Sequence, residues 1–175
     1  MGVLRFVSAG GLAALLAASA AQAHVSASPK EAQAGAYQVV RFGVGHACAG
    51  ADATTAVRLE MPDGLPSARP QPKPGWTLSI ERGTGGPESV KAIVWRGRLP
   101  ADQFEEFVVM MRLPDRPGPL FIPAIQTCGD IETRWTEIPP MDAAPRPERP
   151  APAIRLLPRE SAAPGPAAPA GHQHP

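Results

Sequence analysis

Residues 37–44 read Tyr37-Gln38-Val39-Val40-Arg41-Phe42-Gly43-Val44, and residues 106–113 read Glu106-Phe107-Val108-Val109-Met110-Met111-Arg112-Leu113. In each, every second residue is apolar: Val40, Phe42 and Val44 in the first, Phe107, Val109, Met111 and Leu113 in the second. A strand sends successive side chains to opposite faces, so this period of two predicts half-buried β-strands. Val57, Leu59 and Met61 alternate with Arg58 and Glu60 in 54–61, and Trp76, Leu78 and Ile80 with Thr77, Ser79 and Glu81 in 76–81. Residues 90–95, 119–125 and 131–137 complete a set of seven predicted strands. Between them lie Pro62-Asp63-Gly64, Gly83-Thr84-Gly85-Gly86-Pro87 and Pro114-Asp115-Arg116-Pro117-Gly118. Gly and Pro supply the φ values that tight turns require. The expected fold is all-β, an antiparallel β-sandwich with its loops exposed at the two ends.

Outward from this core the composition changes. Residues 1–23 carry Arg5, an apolar stretch and Ala21-Gln22-Ala23, the order of a secretory signal peptide with an A-x-A cleavage site. The expectation is an exported protein, periplasmic or secreted, without a stable membrane span after cleavage. From 139 to 175 the chain holds 11 of its 23 prolines, with Ile154, Leu156 and Leu157 as its only branched aliphatic side chains and no aromatic. Such a segment buries too little to offset an ordering entropy of about 1–2 kcal/mol per residue, so a disordered Pro/Ala-rich tail is expected. The folded domain is then 24–138. The 17 Lys and Arg against 16 Asp and Glu leave no basic field for nucleic acid.

Cys48 and Cys128 are the only cysteines. In an exported protein an even count favours a disulfide, here joining the first strand region to the last. The alternative is a thiolate pair holding Cu(I).

Cleavage after Ala23 makes His24 the mature N-terminus. An N-terminal histidine offers its α-amine and imidazole Nδ1 to one metal in a single chelate ring. The amine, with a reference pKa of about 8, releases its proton to a metal near neutral pH. Nitrogen donors of this kind suit Cu(II), the tightest divalent binder of the first row. An internal histidine has only an amide at that position.

The order of short motifs resembles the YcnI-like family of exported copper-binding domains. It runs through His24-Val25-Ser26-Ala27-Ser28-Pro29-Lys30-Glu31, Gly35-Ala36-Tyr37 and Val44-Gly45-His46-Ala47-Cys48. It continues through Ala53-Thr54-Thr55-Ala56-Val57-Arg58, Met61-Pro62-Asp63-Gly64 and Lys73-Pro74-Gly75-Trp76. Leu99-Pro100, Phe104-Glu105-Glu106-Phe107 and Gln126-Thr127-Cys128 ahead of Trp135 complete it. The resemblance covers essentially all of 24–138. It implies an immunoglobulin- or cupredoxin-like sandwich and a Cu(II) site of the monohistidine-brace type. His24 would supply amine and imidazole, and Trp135 would lie beside the metal. An indole has no lone pair for ordinary ligation, so its part would be shielding. The resemblance also leads to an expected carboxylate ligand, with Glu31 first and Glu106 second. His46 is a further candidate, because a Cys48 link would bring it toward Trp135. The Pro/Ala tail departs from the many members that continue into a membrane helix, which counts against the expectation of membrane-tethered uptake.

Three functions follow as expectations. The first is a non-enzymatic copper protein for storage, buffering or delivery, with a copper-transfer protein as partner. The second is a copper-dependent oxidase or oxygenase. The third is a metal-free β-sandwich interaction module, since fold alone does not fix function. Trp76 and Trp95 read as core residues. Met110 and Met111 fall on opposite strand faces and cannot chelate together. His172 and His174 would bind metal only weakly, as an auxiliary.

Overall fold

A computed structural model of the chain describes residues 24–86, 88–140 and 147–159. The proposed signal peptide, residues 141–146 and the segment holding His172 and His174 lie outside the described residues. Among the described residues there are twelve strands and no helix. They are β1 (Ser26–Ser28), β2 (Glu31–Gln33), β3 (Tyr37–Val44), β4 (Ala53–Glu60), β5 (Ser67–Pro70) and β6 (Thr77–Arg82). Then follow β7 (Val90–Pro100), β8 (Glu105–Arg112), β9 (Gly118–Phe121), β10 (Ala124–Cys128), β11 (Ile131–Trp135) and β12 (Ala153–Leu157).

The strands form a four-stranded sheet β1-β3-β8-β5, a five-stranded sheet β11-β10-β4-β7-β6 and a small sheet β2-β12-β9. The two large sheets are antiparallel throughout. The alternation that marks β3 and β8 sets their pairing, which runs unbroken from Tyr37↔Arg112 to Val44↔Glu105. A slip of one residue would turn Val40, Phe42 and Val44 to solvent, so the buried face fixes the register.

The core lies between the large sheets. Phe107 of β8 meets Trp95 of β7 at 5.4 Å between centroids, and Trp76 edge-on at 5.0 Å. Both contacts cross the sandwich. Phe42, Leu59, Ile93, Trp95, Phe107 and Met111 are fully buried, and burial of such a side chain contributes about 1.5–3 kcal/mol. Gly97 lets Trp76 reach this position, since a Cβ there would lie within 2.8 Å of three ring carbons. Met111 is buried and Met110 exposed, on the opposite faces that alternation requires. Arg58 ties β4 to β6 across β7 through a two-pronged contact with Glu81. The hydrogen bond from Arg58 holds the Glu81 carboxyl below its usual range.

Two expectations require correction. The apolar run 119–125 is not one strand. Pro123 has no N–H for a ladder, and the chain divides there into β9 and β10, which belong to different sheets.

The domain also does not stop at 138. Ala153–Leu157 is β12, antiparallel to β9 and parallel to β2. Ile154 and Leu156 alternate around Arg155 and join the same core as Phe42 and Trp95, with Ile154 fully buried. Two apolar residues suffice because the backbone bonds of β12 are satisfied on both sides. Composition averaged over 139–175 hides that local pattern.

Candidate metal centre

His24 lies just before β1, ahead of the buried Val25. β1 pairs with β3 at Ser26↔Gly43, and continuing that register back sets His24 beside Gly45, next to His46. On its other side stands Trp135, the last residue of β11. The rings meet edge-on, with centroids 5.4 Å apart and planes at 81°.

The His24 ring makes one further contact. Its Nε2 lies 3.2 Å from the backbone oxygen of Glu148. A carbonyl only accepts, so Nε2 carries the proton and donates, and in the neutral ring Nδ1 keeps the lone pair. The Glu148 carbonyl is held there by the segment before β12. Glu137 N–H donates to Arg149 O at 3.0 Å, Ala151 N–H to Glu137 O at 2.8 Å, and Arg149 N–H to the Glu137 carboxylate at 3.0 Å.

Behind Trp135 runs a buried chain of polar groups. Trp135 Nε1–H donates to Gln126 Oε1 at 3.2 Å. Gln126 Nε2 donates to His46 O and to Thr54 Oγ1, each at 2.7 Å. Thr54 Oγ1 lies 3.8 Å from Cys128 Sγ, and Cys48 N–H donates to the same sulfur at 3.0 Å. Cys48 and Cys128 form a disulfide, buried with Ala47 in a small cluster of its own. The cysteines therefore hold no metal as a thiolate pair. Their bond draws the His46 turn toward β10.

The predicted residues are placed unevenly. His24 and Trp135 are brought together. His46 joins them through its backbone carbonyl, while its ring Nδ1 faces its neighbour's oxygen, Ala47 O, at 3.2 Å. Glu31 and Glu106 are engaged elsewhere. Glu31 of β2 pairs with Arg155 of β12, and Glu106 of β8 with Arg41 of β3. Each faces an arginine on an adjacent strand, and neither bonds to His24 or Trp135. Among the described residues no three His, Cys, Asp or Glu side chains gather into a metal-holding group. A surface cleft of about 540 Å³, lined by Met61, Asp63, Ser89 and Lys91 among others, includes neither His24 nor Trp135.

Sequence reasoning missed Gln126, Thr54 and the Glu148 carbonyl. Gln126 had a signal. It shares a strand face with Ala124 and Cys128, so alternation placed an amide in the core. Glu148 had none, because its position depends on the long-range pairing of β12.

Residues 24–156 match the domain of unknown function DUF1775. The chain belongs to that family. Among solved structures, this DUF1775 chain is similar to an uncharacterized protein from Nocardia farcinica with an immunoglobulin-like fold. Identity is 34%, the match covers 76% of this chain and 97% of that one, and the TM-score is 0.63. No curated protein matches the chain. Among its described residues no helix is long and apolar enough to cross a membrane.

Proposed function

We propose that this DUF1775 protein is an exported copper-binding protein that carries or buffers Cu(II) on the His24 side of its sandwich. Cleavage after Ala23 would free the α-amine, which together with Nδ1 closes one chelate ring on the metal. The observation that carries this reading is the bond from His24 Nε2–H to the Glu148 carbonyl. Metal-bound histidines commonly donate their second ring N–H to such an acceptor, which fixes the tautomer and steadies the ring. Trp135 supports the reading as an apolar wall that shields one side of the ion without ligating it. Among the described residues His46 is the one other histidine, and its Nε2 is a further candidate donor. With Glu31 and Glu106 engaged by arginines, the remaining positions fall to water or to a donor from a copper-transfer partner. The resemblance to YcnI-like copper-binding domains favours the same metal. The role is binding and transfer rather than catalysis.

The experiment is a Cu(II) titration of protein processed to begin at His24, beside the same protein with one alanine added before it. The added residue converts the amine to an amide. Affinity should fall by more than about 100-fold, beyond the loss typical of a residue behind the ligands. Equal affinity in the two forms would reject the brace.

A further inference from the structure

Gln126 is 1% exposed, and its three side-chain hydrogen bonds reach Trp135, the His46 carbonyl and Thr54. The amide can sit in one orientation only. The group facing the His46 carbonyl must donate, so it is Nε2, and the group facing the Trp135 indole N–H must accept, so it is Oε1. Rotating the amide by half a turn would set donor against donor and acceptor against acceptor in a place closed to water. A methionine of similar length would fill the same volume with less desolvation. What the amide adds is a fixed acceptor for the indole, together with donors to the turn carrying His46 and to Thr54 of β4.

We infer that Gln126 is the positioning residue of the metal centre: it pins the Trp135 indole against the His24 ring and ties the His46 turn to the same point. The inference rests on the copper reading above for its metal-binding consequence, but its structural half stands without metal. Gln126 makes no hydrogen bond to His24 and acts through Trp135 and the His46 backbone. The same bonds continue through Thr54 to the Cys48–Cys128 disulfide, which anchors the network at its inner end.

The test uses protein processed to His24, with the variants Gln126→Met, Gln126→Glu and Thr54→Val. Two readouts are taken: the indole N–H resonance of Trp135 in metal-free protein, and titration with Cu(II) alone followed by its electron paramagnetic resonance spectrum. Gln126→Met should move the indole resonance upfield and weaken Cu(II) binding by up to about 10-fold, the low end of the range for residues bonded directly to a ligand. Gln126→Glu keeps an acceptor opposite the indole, and burial favours the neutral carboxyl, whose O–H can still donate to the His46 carbonyl; it should restore the resonance and most of the affinity. Thr54→Val removes a partner of Gln126 that does not touch Trp135; it should lower the melting temperature and leave both readouts in place. If Gln126→Met does not fold, Gln126→Asn, too short to reach the indole, replaces it. A Gln126→Met protein that loses stability but keeps the wild-type indole resonance and copper spectrum would overturn the inference. If the processed wild type takes up no copper, the copper reading fails alone. The indole resonance then still decides whether Gln126 holds the ring.

Discussion

The imidazole of His24 meets the indole of Trp135 edge-on, 5.4 Å between ring centroids. Two residues 111 positions apart in the chain are thus neighbours. An ion held on His24 would lie within reach of the Trp135 excited state. Cu(II), being paramagnetic, should quench Trp135 emission. Trp76 and Trp95 lie in the core beside Phe107. Replacing Trp135 by Phe should therefore remove most of the copper-dependent quenching while leaving the emission of the other two. Steady-state fluorescence during a Cu(II) titration checks this. Quenching that survives Trp135→Phe would place the ion elsewhere.

The disulfide closes a loop with a sequence separation of 80. In the chain-entropy model a loop of that length contributes roughly 4–5 kcal/mol, though measured values often fall near 2–4. Replacing Cys48 and Cys128 together by Ala should lower unfolding free energy by an amount in that range, as read by urea denaturation. Both sulfurs are buried, so the native bond should also resist mild thiol reductants until the domain opens. Rapid alkylation under native reducing conditions would contradict that.

Gly97 packs beneath the Trp76 ring, with no room for a side chain. Gly97→Ala should push Trp76 away from Phe107 and cost about 1–3 kcal/mol, the usual range for overpacking. The urea midpoint should drop while the slope stays unchanged, because the unfolded surface is the same. His24 precedes β1, and Trp135 ends β11, which β10 and β4 separate from β7, so the proposed Cu(II) binding should persist in the folded variant.

The long strands were legible because each buries one face between two sheets. Alternation in β3, β4 and β8 then appears directly in the residue order. Three- and four-residue strands such as β1, β2 and β5 are too short to show a period. β12 was hidden differently, since Pro150, Pro152 and Pro158 flank a five-residue apolar pattern that makes sense only once β2 and β9 accept it. The site followed the same division. The nearness of His24 to Trp135 was readable only through the family resemblance, and the two rings do meet. The arginine partners of Glu31 and Glu106 were not readable, because an exposed Glu looks the same in sequence whatever faces it. The polar chain through Gln126 needed three partners from separate strands and turns, which no local pattern encodes.

The closing strand carries its own prediction. Ile154 of β12 is fully buried and shares the core with Trp135. Ile154→Ala should cost about 2–5 kcal/mol, as for other large-to-small changes in a core. A chain ending at Ile138 should lose β12, expose the partners of Ile154 and Leu156, and remove the Glu148 carbonyl from His24. Limited proteolysis and thermal unfolding would show the loss. A truncated chain with wild-type melting behaviour would mean that β12 adds nothing to the core.

The last prediction concerns acid. Lys73 Nζ lies 2.7 Å from Glu105 Oε1 and 5.7 Å from the centre of the Phe107 ring. Partial burial alone would raise the Glu105 carboxyl. The hydrogen bonds from Lys73 and from the Glu106 backbone N–H outweigh it, and the carboxyl sits below its usual 4.5. The folded state therefore binds this proton more weakly than the unfolded chain. The pair's contribution is complete above pH 4.5 and is lost as pH falls through the lower folded value. Both side chains reach solvent, so the effect is small and screened by salt. Glu105→Gln should be modestly less stable than wild type at pH 7, and the two should converge as pH drops below 4.5. Urea midpoints measured across that range decide it. A difference that stays constant with pH would mean that Glu105 contributes through packing rather than charge.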